Sequence, residues 1–136
     1  MRVDELQRRV DTGEIDTVVA AFTDHYGRLM GKRLDAEFFL EQCVDHGTHA
    51  CDYLLTVDME MEPVEGYGFA NWQKGYGDFH LVPDLGTLHP AAWTDRTAVV
   101  LCDVADVAVA DAAGLGTNDP GDDEHLARIA PRSILR

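Results

Sequence analysis

Serine is nearly missing from this chain of 136 residues: Ser133 is the only one, so a G-x-S-x-G nucleophile elbow cannot be built. No run approaches 18 apolar residues, which excludes a helical membrane span. Cations are scarce as well, with 11 Lys and Arg against 25 Asp and Glu and a formal net charge of −14. Phosphate backbones and anionic lipid are repelled by that balance, so neither nucleic acid nor a membrane surface is an expected partner. Three cysteines (Cys43, Cys51 and Cys102) are too few and odd in number for a disulfide framework and fit reduced thiols. The opening MRVDELQRRV is charged where a secretory signal would be apolar. The expectation is a cytoplasmic protein. Neither a P-loop nor a G-x-G-x-x-G in its strand–helix context occurs.

The hydrophobic fraction of 46% is enough for one packed domain. Leu6 and Val10, four apart, predict a short N-terminal helix closed by Gly13. DTVVAAFT (16–23) is β-branched and compact, a buried strand. DHYG (24–27) has the Asp-first, Gly-last form of a turn, and RLMGKRL (28–34) follows as the second strand of a hairpin, with Gly31 marking a bulge or a close backbone approach. DAEFFLEQCVDHG (35–47) is the clearest helix: Asp35 caps it, Phe38, Phe39 and Cys43 face a core, and Gly47 stops it. YLLTVD (53–58) reads as a strand, DFHLVPD (78–84) as a strand halted by Pro83, and TAVVLCDV (97–104) as the most apolar strand. The expected fold is α+β, a small mixed sheet of four to five strands with one helix packed across it. Beyond it, GLGTNDPGDDEH (114–125) has the composition of an exposed, flexible segment.

Three clusters carry possible chemistry. Cys43, His46, His49, Cys51 and Asp52 lie within ten residues and are of the types that hold zinc, but no C-x-x-C knuckle is present; buried thiols beside surface histidines is the alternative. VDMEME (57–62) places Asp58, Glu60 and Glu62 at period two. If the strand continues, three carboxylates share one face and can hold an ammonium group. The alternative is the wet face of an edge strand with Met59 and Met61 turned inward, and periodicity alone favours it. GYGFANWQKGYGD (66–78) interleaves glycine with aromatics, so that backbone can approach a ligand and Trp72 or Tyr76 can stack on it. No helix start follows to cradle phosphate, and a self-packed Ω-loop is the alternative.

Taken in order, TDHYGRLMGKRL (23–34), the A-E-F-F helix, the acidic strand end, GYGDFHLVPDLGTL (75–88), the strand ending in C-D and PRSIL (131–135) resemble the N-terminal β-grasp domain of the glutamine synthetase family. The resemblance runs from about residue 16 to the end and implies a β-grasp domain over 14–112 after a helix over 1–13. It further implies an acidic linker over 113–130 and, at 131–136, the first residues of a catalytic domain not contained in this sequence. Such enzymes join the γ-carboxylate of glutamate to ammonia or an amine through a γ-glutamyl phosphate. They use ATP and magnesium or manganese, bound mainly by that second domain, so this stretch is expected to bind neither and to be inactive alone. The resemblance also implies a homo-oligomeric ring in which an acidic loop of this domain completes the neighbour's active site, and Asp58 falls at that loop's aspartate. One departure matters. Ammonia-using members carry F-D-G-S-S here, whereas this chain has V-D-M-E-M, which points to a larger amine such as ethanolamine or a polyamine. Glu60 and Glu62 would suit a polycation, and Trp72 would cover its alkyl part. A stand-alone β-grasp module that binds proteins is the competing reading.

Overall fold

The computed structural model describes residues 1–106; the segments expected at 113–130 and 131–136 lie outside the described residues. Helix α1 (Val3–Asp11) leads into β1 (Thr17–Thr23) and β2 (Leu29–Asp35), then a continuous helix α2 (36–46), then β3 (Thr48–Cys51), β4 (Asp78–Pro90) and β5 (Thr97–Asp106). The sheet order is β2-β1-β5-β4-β3. The central pair β1 and β5 is parallel and every other neighbour is antiparallel. This is the α+β sheet-and-helix arrangement expected, with five strands.

The core lies between the sheet and α2. Alternate residues of β1 (Val18, Ala20, Phe22) and β5 (Ala98, Val100, Cys102) point to one face, where Phe39 and Cys43 of α2 and Leu6 of α1 meet them. Phe39 and Leu6 are fully buried, each removing about 2–3 kcal/mol worth of apolar surface from water. Asp35 caps α2 by accepting the Phe38 N–H at 3.0 Å. The helix then runs as an α-turn (Ala36–Phe38), a π-turn (Phe39–Cys43) and a last α-turn (Val44–His46). Gly31 is a close approach, as read: with φ of 152°, a Cβ there would overlap the Ala20 carbonyl oxygen across the hairpin.

Four expectations are corrected. Phe38 is 47% exposed, because Ala36, Phe39 and Cys43 at spacings of three and four already form the inward stripe. Residues 53–58 are not a strand: Asp52–Leu55 is a 3₁₀ turn closed by Thr56, whose N–H and hydroxyl both donate to the Tyr53 carbonyl at 2.9 Å. The strand of this region comes earlier, at Thr48–Cys51. Met59 and Met61 do not turn inward, being 55% and 41% exposed. Finally, Pro83 does not halt β4, which continues to Pro90 with a register break between Asp84 and His89. β3 pairs β4 only over Asp78 to Leu81, so Pro83 has a strand neighbour on one side and costs no ladder there.

Candidate functional site

The β1–β2 turn and the segment after the 3₁₀ turn meet at one end of the sheet, and Asp24 joins them. Its side chain is wholly buried. Oδ1 accepts the backbone N–H groups of Tyr26 and Arg28, both at 2.9 Å, and Oδ2 accepts Arg28 Nε at 2.7 Å. Burial alone would push this carboxyl up, but the N–H groups of Arg28 and Tyr26 and the Arg28 guanidinium outweigh it and hold it below its ordinary range. Arg28 then reaches across the fold: Nη1 donates to the Met59 carbonyl at 2.9 Å and Nη2 to the Asp58 carbonyl at 2.8 Å. Its guanidinium also lies 5.5 Å from the centre of the Tyr26 ring.

Residues 57–63 form a tight turn rather than a continuing strand. Val57 and Pro63 make an isolated bridge, and the Asp58 N–H donates to the Glu62 carbonyl at 2.9 Å. Met61 takes φ of 68°, which lets the chain reverse. Asp58 Oδ1 accepts the N–H groups of Glu60 at 2.9 Å and Glu62 at 3.0 Å. No hydrogen bond among the described residues uses Oδ2, so one carboxylate oxygen holds the turn while the other is open to an incoming N–H donor. Asp58, Glu60 and Glu62 are therefore brought together, by backbone bonds to Asp58 and not by strand alternation.

Trp72, in the loop that follows, is 78% exposed. Its ring meets Tyr76 edge-on at 5.6 Å, and Tyr76 meets Tyr53 of the 3₁₀ turn at 6.1 Å. The long loop is closed at its base by the Asp52 N–H donating to the Gly77 carbonyl at 2.9 Å, and inside it Asn71 pairs with Gly75. Tyr67 and Phe69 form a further edge-on pair at 5.7 Å.

Cys43, His46, His49, Cys51 and Asp52 are scattered. Cys43 is buried in the core, and the His46 carbonyl engages His80 Nε2 at 2.6 Å. His49 stacks on His80 at 4.7 Å. Among the described residues no group of three or more His, Cys, Asp or Glu side chains is placed to hold a metal ion. Burial pushes the Cys43 thiol up, and burial with the Asp103 charge pushes Cys102 up to about 12, so neither is a ready thiolate. Sequence reading missed the roles of Asp24 and Arg28. The D-x-x-G-R spacing showed the turn, yet nothing local points from Arg28 to carbonyls some thirty residues onward.

With this geometry in hand, similarity to known proteins is informative. The chain is 48% identical over 134 residues to γ-glutamylethanolamide synthetase GlnA4 of Streptomyces coelicolor, covering 98% of this chain and 26% of that protein. It is 37% identical over 95 residues to a glutamate–isopropylamine ligase of a Pseudomonas species, covering 70% of this chain and 21% of the relative. It thus spans about a quarter of the length of these relatives. Among solved structures, a GmaS–ADP complex superposes with a TM-score of 0.53 at 18% identity, over 75% of this chain and 20% of that one. Ligand-free GmaS gives a TM-score of 0.51 at 18% identity, over 73% and 20%. At that identity the likeness is one of fold. No protein-family profile matches the chain.

Proposed function

From a chain homologous to the N-terminal portion of glutamine synthetase-like amine ligases, we propose that these residues form the amine-facing wall of an enzyme that makes γ-glutamyl amides, with Asp58 as the group that receives the amine. The observation that carries this reading is the divided use of the Asp58 carboxylate: Oδ1 is spent on the Glu60 and Glu62 N–H groups, and Oδ2 is unspent. An amine arrives at neutral pH as an ammonium ion, which has no lone pair for attack. Asp58 Oδ2 can accept one of its N–H bonds, hold the cation by charge, and take the proton as the nitrogen lone pair turns toward the γ-carboxyl carbon of glutamate. The carboxylate becomes a carboxylic acid, the ammonium becomes a free amine, and the net charge of the pair is unchanged.

Among the described residues no group of three or more His, Cys, Asp or Glu side chains is placed to hold a metal ion, and the ATP and the magnesium or manganese implied by the resemblance are proposed to bind elsewhere. In this reading they belong to the remainder of the ligase, where they would activate the glutamate carboxylate. In the ring that the resemblance implies, this wall faces a neighbouring subunit.

The proposed amine is larger than ammonia. The turn replaces small residues with Met59 and Met61, both exposed, and Trp72 offers an exposed indole face nearby in the chain. The test is a comparison of ammonia, ethanolamine, isopropylamine and putrescine as substrates of the complete ligase. An organic amine is expected to exceed ammonia by about tenfold or more in kcat/KM. Ammonia preferred by a similar margin overturns the choice of amine, and no glutamate-dependent turnover with any of them overturns the reaction class.

A further inference from the structure

Resting on the assignment of Asp58 above, we infer that Arg28 is a positioning residue for the amine. It is a strut that transmits the fixed geometry of the β1–β2 turn to the Asp58 turn. The strut begins at a fully buried carboxylate whose two oxygens are both engaged, Oδ1 by two backbone N–H groups and Oδ2 by Arg28 Nε. Asp24 therefore cannot rotate without breaking three bonds, and it fixes the guanidinium plane. The far edge of that plane donates to two consecutive carbonyls, Asp58 at 2.8 Å and Met59 at 2.9 Å. Two parallel N–H bonds to successive peptide groups fix both the height and the tilt of the turn. A single point contact would fix only the height.

The charge of the strut is matched to the site. A free guanidinium under Asp58 would neutralise the carboxylate and repel an ammonium ion. Here the cation is already paired with Asp24 at 2.7 Å, so Arg28 can hold the turn without competing for the substrate. Internal bonds of the turn (Asp58 N–H to Glu62, Val64 N–H to Thr56) set its shape but do not tie it to the sheet. Arg28 spans 30 and 31 residues to do so.

The experiment is a double-mutant cycle in the complete ligase, with Arg28→Gln, Arg28→Lys, Asp58→Asn and the Arg28→Gln/Asp58→Asn pair. Amine, glutamate and ATP kinetics are measured separately, with thermal unfolding as a check on folding. Asp58→Asn keeps an acceptor oxygen for the turn while removing the charge. Arg28→Gln is expected to raise the amine KM by about tenfold, with the glutamate and ATP KM values within about twofold. Arg28→Lys restores the charge but not the fork, and recovers part of that loss. In the Asp58→Asn background, Arg28→Gln should change amine kcat/KM by less than about twofold, because the group it positions is gone. An undiminished effect in that background overturns the strut, as does an Arg28→Gln loss shared equally by all three substrates. An Asp58→Asn enzyme with normal amine kinetics overturns the Asp58 assignment itself, and the strut with it.

Discussion

The acidic turn at residues 57–63 and the aromatic loop at residues 66–77 both follow the 3₁₀ turn at Asp52–Leu55, yet they are held in opposite ways. The acidic turn is fixed through backbone: its bridge, the two N–H bonds to Asp58 Oδ1 and the Arg28 strut leave the Asp58, Met59 and Glu62 carbonyls and one carboxylate oxygen committed. The aromatic loop is held by ring edges among Tyr53, Trp72 and Tyr76, a hydrogen bond at its base and the Asn71–Gly75 bridge, with its largest side chain in solvent. Backbone fixation gives sub-ångström placement, which proton transfer needs. Edge-on ring contacts give a surface that adapts, which suits an alkyl group of variable size. On the function proposed above, chemistry would fall to the first region and choice of amine to the second.

Substitution of Asp58 tests the first half and should have the largest effect. Asp58→Asn is expected to lower amine kcat/KM by about 10²–10⁴-fold in the complete ligase, the range for losing a general base. Its thermal stability should stay close to the parent's, since Asn keeps an oxygen for the Glu60 and Glu62 N–H groups. A loss of stability with intact turnover would reverse the roles given to the two oxygens. Next comes the foundation of the strut. Asp24→Ala removes a buried carboxylate, strips the partly exposed Arg28 guanidinium of its partner and leaves two N–H groups unpaired, a cost of about 2–3 kcal/mol in denaturant unfolding. The pH dependence follows from the same carboxyl. Its folded pKa lies below the ordinary 3.8, so its contribution is fully present above that value and is lost as pH falls through the lower, folded value. Unfolding of the parent between about pH 2 and pH 6 should show this acid limb, and Asp24→Ala should flatten it.

Legibility in the sequence divided along the same line. β1, β2, α2 and β5 were readable because their signals are local: β-branched runs, an Asp cap, an inward stripe at three and four, a glycine stop. The Asp58 cluster is a turn where its alternation reads as a strand. YLLTVD has strand composition, but Thr56 spends its hydroxyl and N–H on Tyr53 and closes a helical turn instead. The alternation of acid and methionine that followed was therefore not a strand period. Pro83 misled for a related reason, since whether a proline breaks a strand depends on which flank has a neighbour. The reach of Arg28 is invisible because its distant partners are peptide carbonyls, and backbone acceptors leave no trace in residue types. The three-and-four spacing admits Phe38 to the inward stripe, and the phase of Ala36, Phe39 and Cys43 decides otherwise.

Trp72 tests the second half of the comparison. Trp72→Ala removes an exposed indole that contacts Tyr76 at its edge. Stability should move by less than about 0.5 kcal/mol, as for surface positions generally. The KM for an organic amine should rise by about five-fold, the worth of an exposed cation–π or alkyl contact near 1 kcal/mol, while kcat falls little. Ammonia, with no alkyl part, should be indifferent. A large kcat effect would mean that the aromatic loop shares in the chemistry and would erase the distinction between the two regions.

The smallest expected effect is the most discriminating. Glu60 and Glu62 hold the turn through backbone N–H groups, while their side chains are exposed and make no hydrogen bond among the described residues. Removing either charge therefore leaves Asp58 in place. For a monoamine such as ethanolamine, Glu60→Gln or Glu62→Gln should change kcat/KM by less than about twofold, because an exposed carboxylate interacts weakly with a distant cation through water and salt. A diamine is different: with one ammonium at Asp58, its second ammonium must sit several ångströms away, within reach of a neighbouring acid. For putrescine the Glu60→Gln/Glu62→Gln double variant should then lose about three- to ten-fold, and the loss should shrink as ionic strength rises. A matched loss for ethanolamine and putrescine would place these carboxylates at the first nitrogen, and the acidic turn would have to be read as one three-carboxylate site in place of a single aspartate on a pinned support.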